Sequence, residues 1–321
     1  MNAVRNVFAT ALLLLASHAA AQEWPAKPIR VVIPSAAGGI GDVVMRNIAT
    51  SMEARLGQRF IVEAKPGAGG DIGASEIARA APDGYSLLLA PTAVYGALPF
   101  VQKNVHYHPV ESFAPVTMVV DAPVLLVINA GLPVNSLKEL AARIRANPGK
   151  LNVGSAGFGT PGHLLGELFG KMSGGMLSVT YNSGPQVAMA VQTNEVQMVF
   201  ATLAGIRPQL AGGSARVIAV LTRARMPDFP GVATAIESGF PEVGEVSSGW
   251  GIVAPKGTDS RITGRLWAEV RVSLADPAVK KRFADAGQLA VGSSPEEFGQ
   301  FIRDESARWK RVVDQVGFQP R

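Results

Sequence analysis

The sequence predicts an α/β protein of two lobes that are joined by two short crossing segments. Short apolar runs typical of buried parallel strands alternate with amphipathic segments, as in the strand at 29–34 before the helix at 43–56. The pattern repeats with a strand at 60–63 before a helix at 71–80. With 321 residues, 47% of them hydrophobic, the chain is large enough for two domains with cores of their own. We therefore expect βα units in both halves of the chain.

The lobe boundary is predicted at two places where the chain passes between the halves without a long polar linker. These crossings lie at 121–123 and at 245–249. We expect the first lobe to contain residues 22–122 and 247–321, and the second lobe to contain residues 123–246. In open α/β sheets, ligands bind beyond the carboxyl ends of the strands, so the cleft between the lobes is the expected site.

The remaining elements follow from the same rules of pattern and capping. Further strands are predicted at 86–90, 116–120, 124–129, 151–153, 179–181, 196–200, 217–221 and 248–254. Further helices are predicted at 137–147, 161–173, 187–193, 260–274, 277–286 and 295–316. Two helix starts carry the capping-box spacing, a serine followed three residues later by a glutamate. These pairs are Ser136 with Glu139 and Ser294 with Glu297.

The N-terminus has the three parts of an export signal. Arg5 supplies the positive charge, residues 7–16 form an apolar run, and Ala19–Ala21 form a small-residue cleavage site before Gln22. The apolar run is too short to cross a bilayer. We therefore expect a signal peptide at 1–21, cleaved near Ala21–Gln22, and an exported mature protein. The chain contains no cysteine, which excludes disulfides, thiolate metal sites and a lipid-modified cysteine.

The charge pattern does not favour a nucleic-acid partner. The formal net charge is +5, but the basic residues are scattered and the longest run is Lys280-Lys281-Arg282. Nucleic-acid-binding surfaces cluster their cations and interleave them with aromatic residues. We expect no nucleic-acid partner.

Three glycine-rich loops, each between a strand and a helix, predict an anion site. They lie at 35–42, 65–70 and 155–160, and Pro161 stands where a helix begins. A helix start presents free N–H groups and about half a positive charge to whatever lies above it. Because these loops contain almost no lysine or arginine, we expect backbone N–H groups and the hydroxyls of Ser35, Ser155 and Thr160 to hold the anion.

The sequences of these loops match the known motifs of catalytic and cofactor sites less well than they match an anion site. Gly157–Gly162 fits the dinucleotide pattern G-x-G-x-x-G, but no acidic residue follows about twenty positions later. A nucleophile elbow would need glycine where Val153 stands. The loops offer only Asp42 and Asp71 as acidic groups, too few for a metal site. We therefore expect no cofactor, no metal and no catalytic set, with an exported hydrolase or oxidoreductase as the alternative.

Ordered motifs along the whole mature chain resemble one protein family. They lie at 24–30, 38–46, 66–73, 82–85, 113–116, 147–150, 155–164, 167–169, 250–255 and 295–298. Their order is similar to that of the Bug-type periplasmic receptors, which are the substrate-binding components of tripartite tricarboxylate transporters.

The resemblance implies a periplasmic binding protein of two lobes (type II-like), each a mostly parallel sheet flanked by helices and hinged by two crossing strands. It implies a monomeric, non-enzymatic receptor that binds a small carboxylate in the cleft and delivers it to membrane transporter subunits. A receptor that signals to a sensor partner is a further possibility. The ligand-binding positions that it implies are Ser35, Ala36, Ala37, Gly38, Gly39, Gly69, Gly70 and Asp71 in the first lobe, and Ser155, Gly157, Thr160, Asn182, Gln186 and Ala201 in the second.

Three positions depart from the family pattern. Ser35 replaces the usual aromatic residue, and Asn182 follows Tyr181 where the family usually has a basic residue. Ala201 stands where many members have an aspartate that can bind a ligand amine. The third departure weakens the case for an amino-acid ligand.

We predict that aspartate and glutamate do not stabilise this protein. Without a carboxylate at Ala201, the ammonium group of an amino acid loses its partner and its burial becomes unfavourable. Differential scanning fluorimetry of the mature protein with each amino acid should show an unchanged melting temperature. A clear rise with either amino acid would contradict the prediction.

Overall fold

The structure, a computed structural model, describes residues 24–246 and 248–320. The predicted signal peptide at 1–21 and its cleavage site at Ala21–Gln22 lie outside these residues. None of the helices in the described part of the chain is long and apolar enough to span a membrane.

Two sheets form the framework of the protein. The first has six strands in the order β11-β4-β10-β3-β1-β2, and the second has five in the order β7-β6-β8-β5-β9. The strands of the first sheet are β1 (Ile29–Ile33), β2 (Phe60–Ala64), β3 (Ser86–Pro91), β4 (Phe113–Asp121), β10 (Trp250–Pro255) and β11 (Leu289–Ala290). Those of the second sheet are β5 (Val124–Asn129), β6 (Asn152–Ser155), β7 (Leu177–Thr180), β8 (Met198–Thr202) and β9 (Ala215–Val220).

Strand direction is mixed in both sheets. β1, β2 and β3 are parallel to one another, whereas β10 runs antiparallel to both β3 and β4. In the second sheet β6, β7 and β8 are parallel, and β5 is antiparallel to β8 and β9. By direction the sheets are mostly parallel, as expected: β1, β2, β3 and β4 run the same way in the first sheet, and β6, β7, β8 and β9 in the second. The strands β5 and β10 run against them, because they enter their sheets from the lobe boundary at which the other strands end, and the short β11 runs parallel to β10.

Helices cover the faces of these sheets. In chain order they are α1 (Ile40–Leu56), α2 (Asp71–Ala78), α3 (Thr92–Tyr95), α4 (Leu98–Val101), α5 (Leu137–Ala146), α6 (Pro161–Ser173), α7 (Gly184–Gln192), α8 (Leu203–Ala211), α9 (Ser260–Ala275), α10 (Pro277–Asp285) and α11 (Pro295–Val316). Single 3₁₀ turns lie at Ala68–Gly70 and Pro241–Val243.

The long helix α11 packs on both lobes. It begins with the predicted capping box, in which Ser294 and Glu297 bond reciprocally. It lies against β4 and α9 of the first lobe and against α6 of the second. Its buried Trp309 and Val312 belong to a single apolar core that also contains Leu126 and Phe169 of the second lobe. The largest core is thus continuous across the boundary, while smaller cores lie within each lobe.

The strand β10 is pressed against α11 at Gly251. A Cβ atom at this position would overlap the ring of Phe298, which is fully buried. The ring cannot retreat, because it packs edge-on against Tyr95 at 5.8 Å and stacks on Phe301 at 6.2 Å. Only glycine fits between this strand and this helix.

We predict that Gly251→Ala destabilises the fold. The added methyl group must displace Phe298 or the strand, and overpacking of this kind costs about 1–3 kcal/mol in the free energy of unfolding. Urea denaturation followed by circular dichroism measures the change.

Gly264→Ala is the matched control. Gly264 lies inside α9, and a Cβ added there would have no atom within 4 Å, so the same methyl group meets open space. Helix propensity then favours alanine by up to about 1 kcal/mol. Equal stability losses in the two variants would contradict the packing argument.

Candidate ligand-binding site between the lobes

The loops of the predicted site face one another because of strand direction. β1, β2 and β3 end at the lobe boundary, as β4 does before the chain crosses to β5. β6, β7 and β8 run opposite to β5, so they also end at the boundary. The loops after these strands therefore border the cleft from both sides, which is where open α/β sheets bind ligands.

Residues of both lobes line two cavities in this cleft. The hinge-side cavity has a volume of about 410 Å³ and is lined by Gly38, Gly39, Ala122, Ser248 and Trp250 of the first lobe and by Thr202 of the second, among others. The Phe158 cavity has a volume of about 370 Å³ and is lined by Gly69, Ala93, Ala97, Leu98, Val101 and Gln102 of the first lobe and by Phe158, Gly159, Thr160 and Pro161 of the second.

The first glycine loop uses two of its own amides to hold its shape. The Gly38 N–H donates to Asp42 Oδ2 at 3.1 Å, and the Gly39 N–H donates to the Ala36 carbonyl at 3.1 Å. Ala36 and Ala37 are exposed, and among the described residues nothing accepts from their N–H groups. The N–H groups of Ala36 and Ala37 therefore remain available as hydrogen-bond donors to a ligand.

Ser35 carries a hydroxyl that lacks a partner. Its Oγ is enclosed by protein, and no hydrogen bond to it forms among the described residues. The oxygen lies beside Gly39, where a Cβ would be 3.8 Å away. An enclosed polar group without a partner costs about 1–3 kcal/mol, so a ligand or water oxygen at this point relieves that cost.

The second glycine loop lies directly beside the first. A Cβ at Gly70 would be 3.5 Å from Pro34, the residue before Ser35. Gly70 is buried and its N–H donates to the Gly67 carbonyl at 2.9 Å. Gly69 is exposed, and in the described part of the chain no oxygen accepts from its N–H. Gly69 therefore offers an amide to the cleft, whereas Gly70 does not.

Asp71 points into the protein. Its carboxylate accepts from Ser75 Oγ at 2.7 Å, and from the backbone N–H and Nδ1 of His106, both at 3.0 Å. Burial acts to raise the pKa of Asp71, but the hydrogen bonds from His106 and Ser75 outweigh it and hold that pKa below its ordinary value. The carboxylate thus anchors the glycine loop to the segment after α4.

In the second lobe, hydroxyls fix the loop between β6 and α6. Thr160 Oγ1 donates to the Gly157 carbonyl at 2.8 Å, and Ser155 Oγ donates to the same carbonyl at 3.4 Å. The Gly159 N–H donates to His163 Nδ1 at 3.4 Å. The Thr160 N–H has no acceptor among the described residues and lies at the wall of the Phe158 cavity.

The remaining predicted positions lie apart from these cavities. The Asn182 N–H donates to Gln186 Oε1 at 3.0 Å, and both residues are exposed at the start of α7. Ala201 lines a smaller cavity of about 190 Å³ together with Gly184 and Thr202. The structure thus brings Gly69 and Thr160 to one cavity, Gly38 and Gly39 to a second, and Ala201 to a third.

Some lining residues escape prediction from the sequence. Thr202 lines the hinge-side cavity and lies at the end of β8, a position at which strand direction predicts a site residue. Trp250 lines the same cavity, but in the sequence it is noticeable only as part of a family motif. Gln102 and Phe158 line the Phe158 cavity without any pattern that marks them in the sequence.

No charged side chain lines these three cavities within the described residues. In the same part of the chain there is no group of three or more His, Asp or Glu placed to hold a metal ion. An anion in the cleft must therefore be held by neutral donors, which are backbone N–H groups and hydroxyls.

The fold and the cleft define a two-lobed solute-binding protein. The chain matches the model of the tripartite tricarboxylate transporter family receptor over residues 44–318, and it belongs to this family. It is 36% identical to protein BugT of Bordetella pertussis, with 94% of this chain and 93% of that protein covered. The predicted resemblance to Bug-type receptors is confirmed.

Solved structures share the architecture. The periplasmic binding protein BugD superposes with a TM-score of 0.73 at 32% identity, covering 93% of this chain and 100% of that one. MatC from Rhodopseudomonas palustris with bound malate superposes with a TM-score of 0.73 at 30% identity, covering 90% and 100%. An R. palustris protein with adipate has a TM-score of 0.76 at 29% identity, covering 93% and 100%.

We predict that Asp71→Asn destabilises the protein at neutral pH by about 1–3 kcal/mol, because the Nδ1 group of His106 and two other donors lose a charged acceptor. Because the folded-state pKa of Asp71 is lowered, its stabilising effect is present above the unfolded value of about 3.9 and is lost as the pH falls through the folded value. Urea denaturation at a series of pH values measures this.

Asp314→Asn is the control for this pair. Asp314 forms an exposed pair with Lys310 at 2.8 Å, and exposed pairs contribute about 1 kcal/mol or less. A stability difference between Asp71→Asn and the wild type that persists unchanged below pH 3 would contradict the assigned role.

Proposed function

We propose that this receptor captures a small carboxylate between its lobes and delivers it to membrane subunits of a tripartite transporter. The observation that carries the proposal is that neutral donors of two adjacent loops in the first lobe, and of the α6 start in the second, remain unbonded at the cleft. These donors are the Ser35 hydroxyl and the N–H groups of Ala36, Ala37, Gly69 and Thr160.

These donors are sufficient for useful affinity. A hydrogen bond to a charged group contributes about 1.5–3 kcal/mol. Closure that brings three or four of these donors from the two adjacent loops and the α6 start onto one carboxylate, with about 0.3–1 kcal/mol from each helix start, would approach the roughly 8 kcal/mol of a micromolar complex. The solved relatives with bound malate and adipate support a carboxylate as the ligand class.

Binding is proposed to proceed by closure of the two lobes around the ligand. We assign residues 22–122 and 247–321 to the first lobe and residues 123–246 to the second, with α11 packed against both. The closed form contacts the carboxylate from both sides and the open form from only one, so the ligand shifts the population toward closure.

The setting of this function is likewise a proposal. We propose that the signal peptide at 1–21 directs the chain to the periplasm and is removed near Ala21–Gln22, and that the mature receptor acts as a monomer without enzymatic activity. An exported enzyme that uses the same cleft is the alternative. Mass spectrometry of the recovered ligand separates the two, because a receptor returns its ligand unchanged.

We predict that Ser35→Ala weakens carboxylate binding about tenfold or more, because the hydroxyl is lost as a donor to a charged group. Isothermal titration calorimetry of the mature protein with malate, adipate and benzoate measures the dissociation constants. The wild type should bind at least one of these acids.

Ser178→Ala is the matched control, since Ser178 lies inside the edge strand β7 and not in a loop at the carboxyl end of a strand. Its dissociation constants should equal those of the wild type. A wild-type protein that binds no carboxylate, or equal losses in the two variants, would overturn the proposal.

A further inference from the structure

The Phe158 cavity is apolar beyond the donors that line it. Ala93, Ala97, Leu98 and Val101 form the first-lobe wall, and the ring of Phe158 forms part of the opposite wall. Gly69 and Thr160, whose N–H groups have no acceptor among the described residues, line the same cavity. A carboxylate held by these amides would therefore direct the rest of its molecule along an apolar surface.

Phe158 presents a fixed flat surface to this space. Its ring centre lies 4.9 Å from that of His163 and 4.7 Å from that of Phe318, and those two rings are themselves only 5.9 Å apart. Phe158 nevertheless remains 44% exposed. At the neighbouring Gly159 the lobes touch, because a Cβ there would be 3.3 Å from Val101 and 3.5 Å from Phe318. His163 and Phe318 hold the Phe158 ring in place from one side, so a flat apolar group can stack on its exposed part without first ordering it.

Gln102 places one unsatisfied acceptor in this wall. Its Oε1 is enclosed and has no hydrogen-bond partner among the described residues. The amide lies beside the second glycine loop, where a Cβ at Gly69 would be 3.6 Å from Gln102 Nε2. The terminal torsion of glutamine is soft, so the amide group can turn and present its oxygen to the cavity that Gln102 lines. A ligand hydroxyl or N–H would supply the missing donor.

The apolar part of this space disfavours a second carboxylate. The unbonded N–H groups of Gly69 and Thr160, two residues that line the cavity, are taken by the first carboxylate, and no lysine, arginine or histidine lines it, as far as the described residues go. A second carboxylate would therefore lose its hydration against the apolar walls without a second pair of these donors. A neutral group meets none of these costs.

We propose that the ligand is a monocarboxylate with a flat apolar body, which stacks on Phe158 and donates a hydrogen bond to Gln102. This inference rests on the proposed function, because it takes the carboxylate site as given. It separates this receptor from the solved relatives whose ligands, malate and adipate, carry a carboxylate at each end.

Isothermal titration calorimetry of the mature protein near neutral pH tests the ligand class. The probes are para-hydroxybenzoate, benzoate, succinate and adipate. We expect para-hydroxybenzoate to bind about tenfold or more tightly than succinate and adipate, and about fivefold more tightly than benzoate, which lacks the donor. Tighter binding of succinate or adipate would overturn the inference and leave the proposed function intact. Failure of every carboxylate to bind would overturn the proposed function itself.

Variants test the two named side chains separately. Gln102→Leu should abolish the preference for para-hydroxybenzoate over benzoate while leaving benzoate affinity unchanged. Gln300→Leu, an exposed position on α11, is the matched control and should retain the preference. If Gln102→Leu does not fold, Gln102→Met keeps the unbranched shape and serves the same test. A preference that survives the loss of the amide would overturn the role of Gln102.

The stacking surface is tested with Phe158→Ala. This variant should weaken both aromatic acids about tenfold and change succinate affinity by less than about twofold. Equal weakening of all acids would show a general loss of closure and would overturn the stacking role. The melting temperature of each variant verifies that it is folded at the temperature of the titration.

Discussion

The direction of the strands at the lobe boundary decides where every loop of the site lies. β1, β2 and β3 end there in one sheet, and β6, β7 and β8 end there in the other. The two crossing strands, β5 and β10, begin at the boundary, so the sheets must be mixed for the loops to face each other. A fully parallel sheet could not receive the chain back from the other lobe at this edge. The cleft is thus a consequence of topology before any side chain is considered.

The backbone N–H groups of the cleft loops form two sets. Those of Gly39 and Gly70 bond to carbonyls of their own loops, and those of Gly38 and Gly159 bond to a side chain of the helix that follows, so these bonds fix the shape of the loops. The amides that remain unbonded are consequently held in place without being used. Such preorganised donors bind an anion with little ordering cost, which offsets the absence of a lysine or arginine.

Local sequence signals predicted the framework well. Pro161 begins α6 and the capping box at Ser294 forms, since both depend on a few adjacent residues. Helix α1 begins at Ile40, three residues before the predicted start, because Gly39 takes the extended conformation of an N-cap. Helices α3 and α4 contain four residues each, too few for a helical period to appear in the sequence.

The site itself was less predictable, because it depends on contacts between distant residues. The glycine loops were identified from their composition, but the inward turn of Asp71 depends on His106, which is 35 positions away. Gln102 likewise becomes notable only once the fold encloses its oxygen. The same limit applies to α11. The apolar face of this helix is visible in the sequence, but the sequence does not show that both lobes share it.

Because α11 is embedded in a core common to both lobes, parting the lobes at this core would expose apolar surface, at a cost of about 25 cal/mol per Å², even when no solute is bound. Under the proposed closure of the lobes, this cost would favour the shut form of the empty receptor, and the affinity would scale with the occupancy of that form. A side chain such as Val312, which lines none of the three cleft cavities, would then change the affinity without contacting the ligand.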